Sequence, residues 1–66
     1  MEPIYRKLRR YVDAQGISRK QMAISMGISE SKLSLLLSGG RRLTVDEYLL
    51  ACKALAVPPQ KFFDPV

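Results

Sequence analysis

The sequence has no histidine and only one cysteine, Cys52, in 66 residues. Without an imidazole there is no side chain that ordinarily exchanges protons near neutral pH, and nothing to activate a thiol nucleophile. A lone cysteine cannot close an internal disulfide; Cys52 fits a reducing compartment and reads as a small apolar core residue. Metal-ligand clusters, glycine-rich phosphate loops and paired carboxylates at a useful spacing are also missing. This argues against an enzyme, a bound metal or cofactor, and a small-molecule ligand. No apolar run approaches the roughly 18 residues of a membrane span, and the N-terminal MEPIYRKLRR carries charge with no apolar stretch behind it. The expectation is a soluble, unexported protein with no membrane partner. Strand-like alternation, repeats, low-complexity segments and linkers are absent too, so residues 1–66 read as one all-α domain.

What is present is charge of one sign. The formal net charge is +5, on a background that is 47% apolar and therefore ordinary for a globule. Residues 1–42 hold nine Lys and Arg against three acids, a balance of +6, whereas residues 43–66 have a balance of −1. An excess confined to one part of the chain suits a polyanion-facing surface better than general solubility does. A chain this short hides only about 60% of its unfolded surface, so dimerisation would supplement its stability readily.

The basic part is organised around Arg19 to Ser38, RKQMAISMGISESKLSLLLS. Met22, Ala23 and Met26 precede Gly27 at helical spacing, and Ile28, Leu33 and Leu36 follow it. Ala23 offers the small side chain that two steeply crossing helices need, and Gly27 tolerates the positive φ of a tight turn. Ser29 is a good N-cap for the second helix. Two short helices on a three- or four-residue turn form a helix-turn-helix, whose second helix enters the DNA major groove. On that helix Ser29, Glu30, Ser31, Ser34 and Leu35 are expected on or beside the outer face, with Lys32 available to a phosphate or a guanine. Hydroxyls reach base edges or phosphates, a carboxylate accepts from cytosine N4, and an aliphatic group meets a thymine methyl. The scarcity of Arg, Gln and Asn predicts modest base discrimination, with phosphates and DNA shape contributing much of any recognition.

The flanking elements follow the same logic. Helix 1 spans about 3–15, with Ile4, Leu8, Tyr11 and Val12 as its buried stripe and Arg6, Lys7, Arg9 and Arg10 elsewhere. A basic amphipathic helix can also lie on an anionic membrane, but this stripe is short and suits a core. Gly16 ends it. Helix 2, about 19–26, opens on Ser18 with Gln21 as an S-x-x-Q capping box. Arg19 and Lys20 stand in its first turn, where the helix dipole disfavours cations, unless a phosphate docks there with Ser18. Helix 3 covers about 29–37, and Ser38-Gly39-Gly40 stops it. Arg41 and Arg42, just past that turn, suit a phosphate clamp. Helix 4, about 45–56, begins with the capping box Thr44-x-x-Glu47 and is expected to bury Val45, Tyr48, Leu49, Cys52 and Leu55. Pro58-Pro59 ends it, and a last element at 59–63 brings Phe62 and Phe63 to the core.

Residues 17–57, from ISRKQMAISMGIS to KALAV, resemble the Cro/repressor-type, or XRE-like, helix-turn-helix domains of bacteriophages and bacteria. The resemblance rests on Ala23, Gly27, Ile28, Leu33 and Leu36, the Gly39 turn and Lys53-Ala54-Leu55, and extends weakly over helix 1 and PPQKFF. It implies a compact five-helix, lambda-repressor-like domain that binds a double-stranded operator as a homodimer and regulates transcription, most simply as a repressor, in the cytoplasm and nucleoid of a bacterial cell. By position, Arg19 replaces a phosphate-contacting Gln, Ser29, Glu30, Ser31 and Leu35 stand where relatives reach bases, and Lys32, Arg41 and Arg42 stand where they hold the backbone. Many relatives pair an Arg late in helix 1 with a Glu late in helix 3. Val12 and Leu37 occupy those positions here, which predicts an apolar contact in place of the ion pair. A different class of function stays open: an antirepressor- or antitoxin-like module whose Leu35 surface binds protein instead of DNA.

Overall fold

In a computed structural model describing residues 2–62, four α-helices follow one another: α1 (Ile4–Gln15), α2 (Arg19–Met26), α3 (Glu30–Ser38) and α4 (Val45–Leu55). A four-residue 3-10 helix, Pro59–Phe62, closes the described chain, which contains no strand. The fifth helix implied by the resemblance is therefore a single 3-10 turn among the described residues. Pro59 lacks an N–H and the preceding Pro58 breaks the chain from α4, so only a short i→i+3 pattern forms, with the Lys61 N–H donating to the Pro58 carbonyl at 3.0 Å. Phe63, expected beside Phe62 in the core, lies outside the described residues.

The ends of α1, α2 and α4 share one construction. After α2, the Gly27 N–H donates to the Ile24 carbonyl (3.1 Å) and the Ile28 N–H to that of Ala23 (3.0 Å). This doubly bonded reversal needs a left-handed residue, and Gly27 has φ 73°. The residue after the reversal is apolar and packs on the core: Ile17 after α1, Ile28 after α2, Val57 after α4. A hydroxyl then caps the next helix. Ser18 Oγ accepts from the Gln21 N–H (3.3 Å), Ser29 Oγ from Lys32 (3.1 Å) and Thr44 Oγ1 from Glu47 (3.2 Å). Each such cap stabilises its helix by about 1 kcal/mol. Only the Thr44 box is reciprocal, with Glu47 Oε1 accepting from the Thr44 N–H at 3.0 Å; at Ser18 the serine half alone is present.

The core holds Leu8 and Val12 of α1, Met22, Ala23 and Met26 of α2, Leu33 and Leu37 of α3, Tyr48, Ala51, Cys52 and Leu55 of α4, and Phe62. Val12 and Leu37, each 1% exposed, are sealed in this one apolar cluster, as expected from the absence of the ion pair. Two expectations for α4 fail. Val45 is 75% exposed and Leu49 46%, while Ala51 is buried instead. At about 100° per residue, Tyr48, Ala51, Cys52 and Leu55 centre the buried face so that Val45 and Leu49 fall on its flank, about 70° and 110° away. Tyr48 spans the gap to the C-terminal turn, donating its hydroxyl to the Pro59 carbonyl. Burial, with the neighbouring Cys52 thiol adding to it, pushes that hydroxyl up to about 12.

The end of α3 is fixed differently. Gly39, at φ 84°, lies beneath the ring of Tyr5, so that a Cβ there would come within 2.5 Å of the ring. A Cβ on Gly27 would meet open space. Gly27→Ala should therefore lose about 1–2 kcal/mol from left-handed strain alone. Gly39→Ala should lose more, because the ring must also move. In urea titrations the excess should vanish when Gly39→Ala is made in a Tyr5→Ala background.

Candidate nucleic-acid interface

The inward side chains of α3 are Leu33, Leu36 and Leu37, each at most 2% exposed. Their burial leaves Ser29, Glu30, Ser31, Ser34 and Leu35 on the exposed side, with Leu35 48% exposed. The three-residue turn Gly27-Ile28-Ser29 joins α2 to α3, and α3 packs against α1 as well as α2. The outer side of α3 is thus the side turned away from the rest of the domain. Ser18, Lys20, Arg41 and Arg42 are exposed, and Arg19 and Lys32 are partly so; none of the residues singled out from sequence is buried.

Their charges are arranged more specifically than the sequence suggested. Lys32 Nζ lies 3.5 Å and Arg41 Nε 3.9 Å from the same carboxylate oxygen, Glu47 Oε2. One side chain of α4 thereby brings together a cation from α3 and a cation from the loop after it. Arg19 is held elsewhere: its guanidinium donates to Asp13 Oδ1 at 3.1 Å, joining the end of α1 to the start of α2. Asp13 thus offsets the unfavourable cation in the first turn of α2 that a docked phosphate was expected to offset. Lys20 and Arg42 have no ion-pair partner among the described residues.

Glu47 is the residue that sequence reasoning missed. Its place in Thr44-x-x-Glu47 signalled a cap, which uses one oxygen; the second oxygen stays available to cations that only the fold brings near. The Thr44 backbone N–H holds its carboxyl below the usual carboxylate range, desolvation opposes this, and Lys32 lowers it further. A carboxyl depressed in the folded state contributes stability at neutral pH that is lost as pH falls through its folded value. Ser18 and Ser29 likewise have a structural task, since their oxygens cap α2 and α3; what they keep for a ligand is the hydroxyl proton and one lone pair.

A comparison with known families bears on this surface. The family model described as a helix-turn-helix domain matches residues 6–62. The chain belongs to the helix-turn-helix domain family. The match takes in all but the start of α1, and it agrees with the Cro/repressor-type resemblance. Membership points to binding of double-stranded DNA. No curated protein and no solved structure matches the chain significantly. No helix among the described residues is long and apolar enough to cross a membrane, and no cluster of His, Cys, Asp or Glu among them could hold a metal ion.

From their place just past α3, Arg41 and Arg42 are proposed here as contacts to the DNA backbone. The double variant Arg41→Ala/Arg42→Ala should weaken binding to all duplexes alike. It should also flatten the slope of log K against log salt by about 0.9 for each phosphate that is no longer neutralised. Filter binding across a salt series measures both effects, and an altered base preference would contradict the assignment.

Proposed function

We propose that this protein is a sequence-specific transcription regulator, a repressor that binds a two-fold-symmetric operator as a homodimer. The observation that carries the reading is the outward face of α3. Its residues Ser29, Glu30, Ser31, Ser34 and Leu35 are exposed together on the second helix of a helix-turn-helix, beside Lys32 and Arg41. In this reading α3 lies in the major groove, where Glu30 accepts from cytosine N4, Leu35 meets a thymine methyl and the serines donate to base edges or phosphates. Ser18, Arg19, Lys20, Lys32, Arg41 and Arg42 hold the phosphate backbone. Arg19 reaches a phosphate while Asp13 steadies its guanidinium.

Support for a homodimer comes from the opposite chemistry. Ile4, Tyr5, Leu43, Val45, Leu49 and Pro59 line an open groove of about 420 Å³, whose lining includes no charged side chain. Two copies that each carry +5 repel over most approaches, and an uncharged apolar surface is where they can meet. A second reading, a module that binds protein through α2 and α3, draws on the exposure of Ile24 (63%) and Leu35 (48%).

The deciding experiment is binding to a pool of random duplexes at rising salt, followed by sequencing of the retained DNA. The expected result is low-salt binding that falls steeply with salt and enriches paired half-sites related by two-fold symmetry, about one helical turn apart. Retention that ignores salt, or none, would favour the protein-binding module. For the dimer, Val45→Glu with Leu49→Glu should give a monomer in sedimentation equilibrium, with an unchanged helical circular-dichroism spectrum, because both side chains are exposed. A dimer that survives both substitutions would place the interface elsewhere.

A further inference from the structure

Among the described acids Glu47 stands apart because a backbone N–H holds it. Its Oε1 accepts the Thr44 N–H, so the carboxylate is fixed to the first turn of α4, and its side chain is only 12% exposed. Oε2 faces Lys32, whose side chain is 36% exposed, and Arg41, at 51%. Two partly exposed cations therefore converge on one anchored anion. The remaining acid on α3, Glu30, makes no ion pair among the described residues, and neither does Asp46 next to Glu47 in sequence. The neighbouring Arg42 lacks an acidic partner as well.

We propose that Glu47 is a positioning residue that attenuates DNA binding: it holds Lys32 and Arg41 in the free protein, and a phosphate must compete with it for them. The inference rests on the assignment of these two cations to the DNA backbone. Lys32, Arg41 and Glu47 together present one net positive charge where the two bases alone would present two. Counterion release on binding scales with the charge delivered to phosphates, so the carboxylate removes about one phosphate equivalent from the interaction. Opposing this, a fixed carboxylate restricts two long side chains and lessens the entropy they lose on contact. The charge effect prevails because both cations are substantially exposed and only loosely held, at 3.5 and 3.9 Å, so little ordering is gained.

Glu47→Gln separates this role from capping. Glutamine at this position can still accept the Thr44 N–H, so the box persists while the charge is lost. Expected is tighter binding to arbitrary duplex, with a salt slope steeper by about 0.9; between roughly 50 and 200 mM salt that adds about a three- to fourfold loss of affinity beyond the wild-type loss. In a Lys32→Ala/Arg41→Ala background the same substitution should leave the slope unchanged, which separates a local effect from a change in overall charge. An unchanged slope in the otherwise wild-type protein would reduce Glu47 to a cap, and weaker binding would mean that ordering outweighs charge; either result overturns the inference. Thermal unfolding of each variant verifies that the fold is intact. Wild-type protein without salt-dependent duplex binding would instead overturn the DNA-binding reading, an outcome distinct from those two.

Discussion

The reversal between α2 and α3 is the constraint on which the domain depends. Gly27 adopts a left-handed conformation, the next residue, Ile28, packs back on the core, and Ser29 starts the new helix at once. Three consecutive residues thus end one helix, anchor the chain and begin another, leaving no slack in which the angle between the helices could drift. Once α3 is seated by Leu33, Leu36 and Leu37, its outer side chains are simply the complement of that set. The proposed reading face is therefore positioned by packing on its reverse side, and its residues apart from Ser29, which caps α3, can vary in chemistry with little effect on the fold.

Charge is organised by a different rule. Among the described residues three acids are placed against cations: Glu2 with Arg10, Asp13 with Arg19, and Glu47 with Lys32 and Arg41. Exposed pairs of this kind add little to stability. Their effect is geometric, since they decide which bases are held and which are left to solvent. Arg6, Arg9, Lys20, Arg42, Lys53 and Lys61 are left without an acidic partner among the described residues, and four of these six lie within the part of the chain that carries the positive excess.

Much of this was legible in the sequence, because the signals were local. The tripeptide Gly-Ile-Ser occurs at 16–18 and again at 27–29, and both times it carries out the same sequence of reversal, anchor and cap. Helix boundaries followed from such punctuation, whereas the burial of Val12 and Leu37 followed from the apolar stripe of α1 and from the family positions that they occupy. At the end of α4 the same reversal is made by Ala56 at φ 57°, a position where glycine would avoid the left-handed strain; composition gave no warning there, since alanine signals helix. The misplaced Val45 and Leu49 have another cause. Both satisfy a helical stripe with Tyr48 and Cys52, and only the arrangement of α2 against α4 selects Ala51 over them. The cations gathered by Glu47 were invisible for a similar reason: residues 32, 41 and 47 become neighbours through tertiary packing, and no spacing rule connects them.

The first turn of α4 shows how these separate rules share a small surface. Glu47 is two residues from Val45 and two from Leu49, and two residues on an α-helix are about 200° apart. Val45 and Leu49 therefore share one side of the helix and line the apolar groove, whereas Glu47 lies on nearly the opposite side with Lys32 and Arg41. A second copy seated in the groove need not touch the charged cluster, nor would a phosphate at the cluster reach the groove. The period of the helix separates the two surfaces, so that the proposed self-association and the proposed backbone contact can be tested by different substitutions within five consecutive residues.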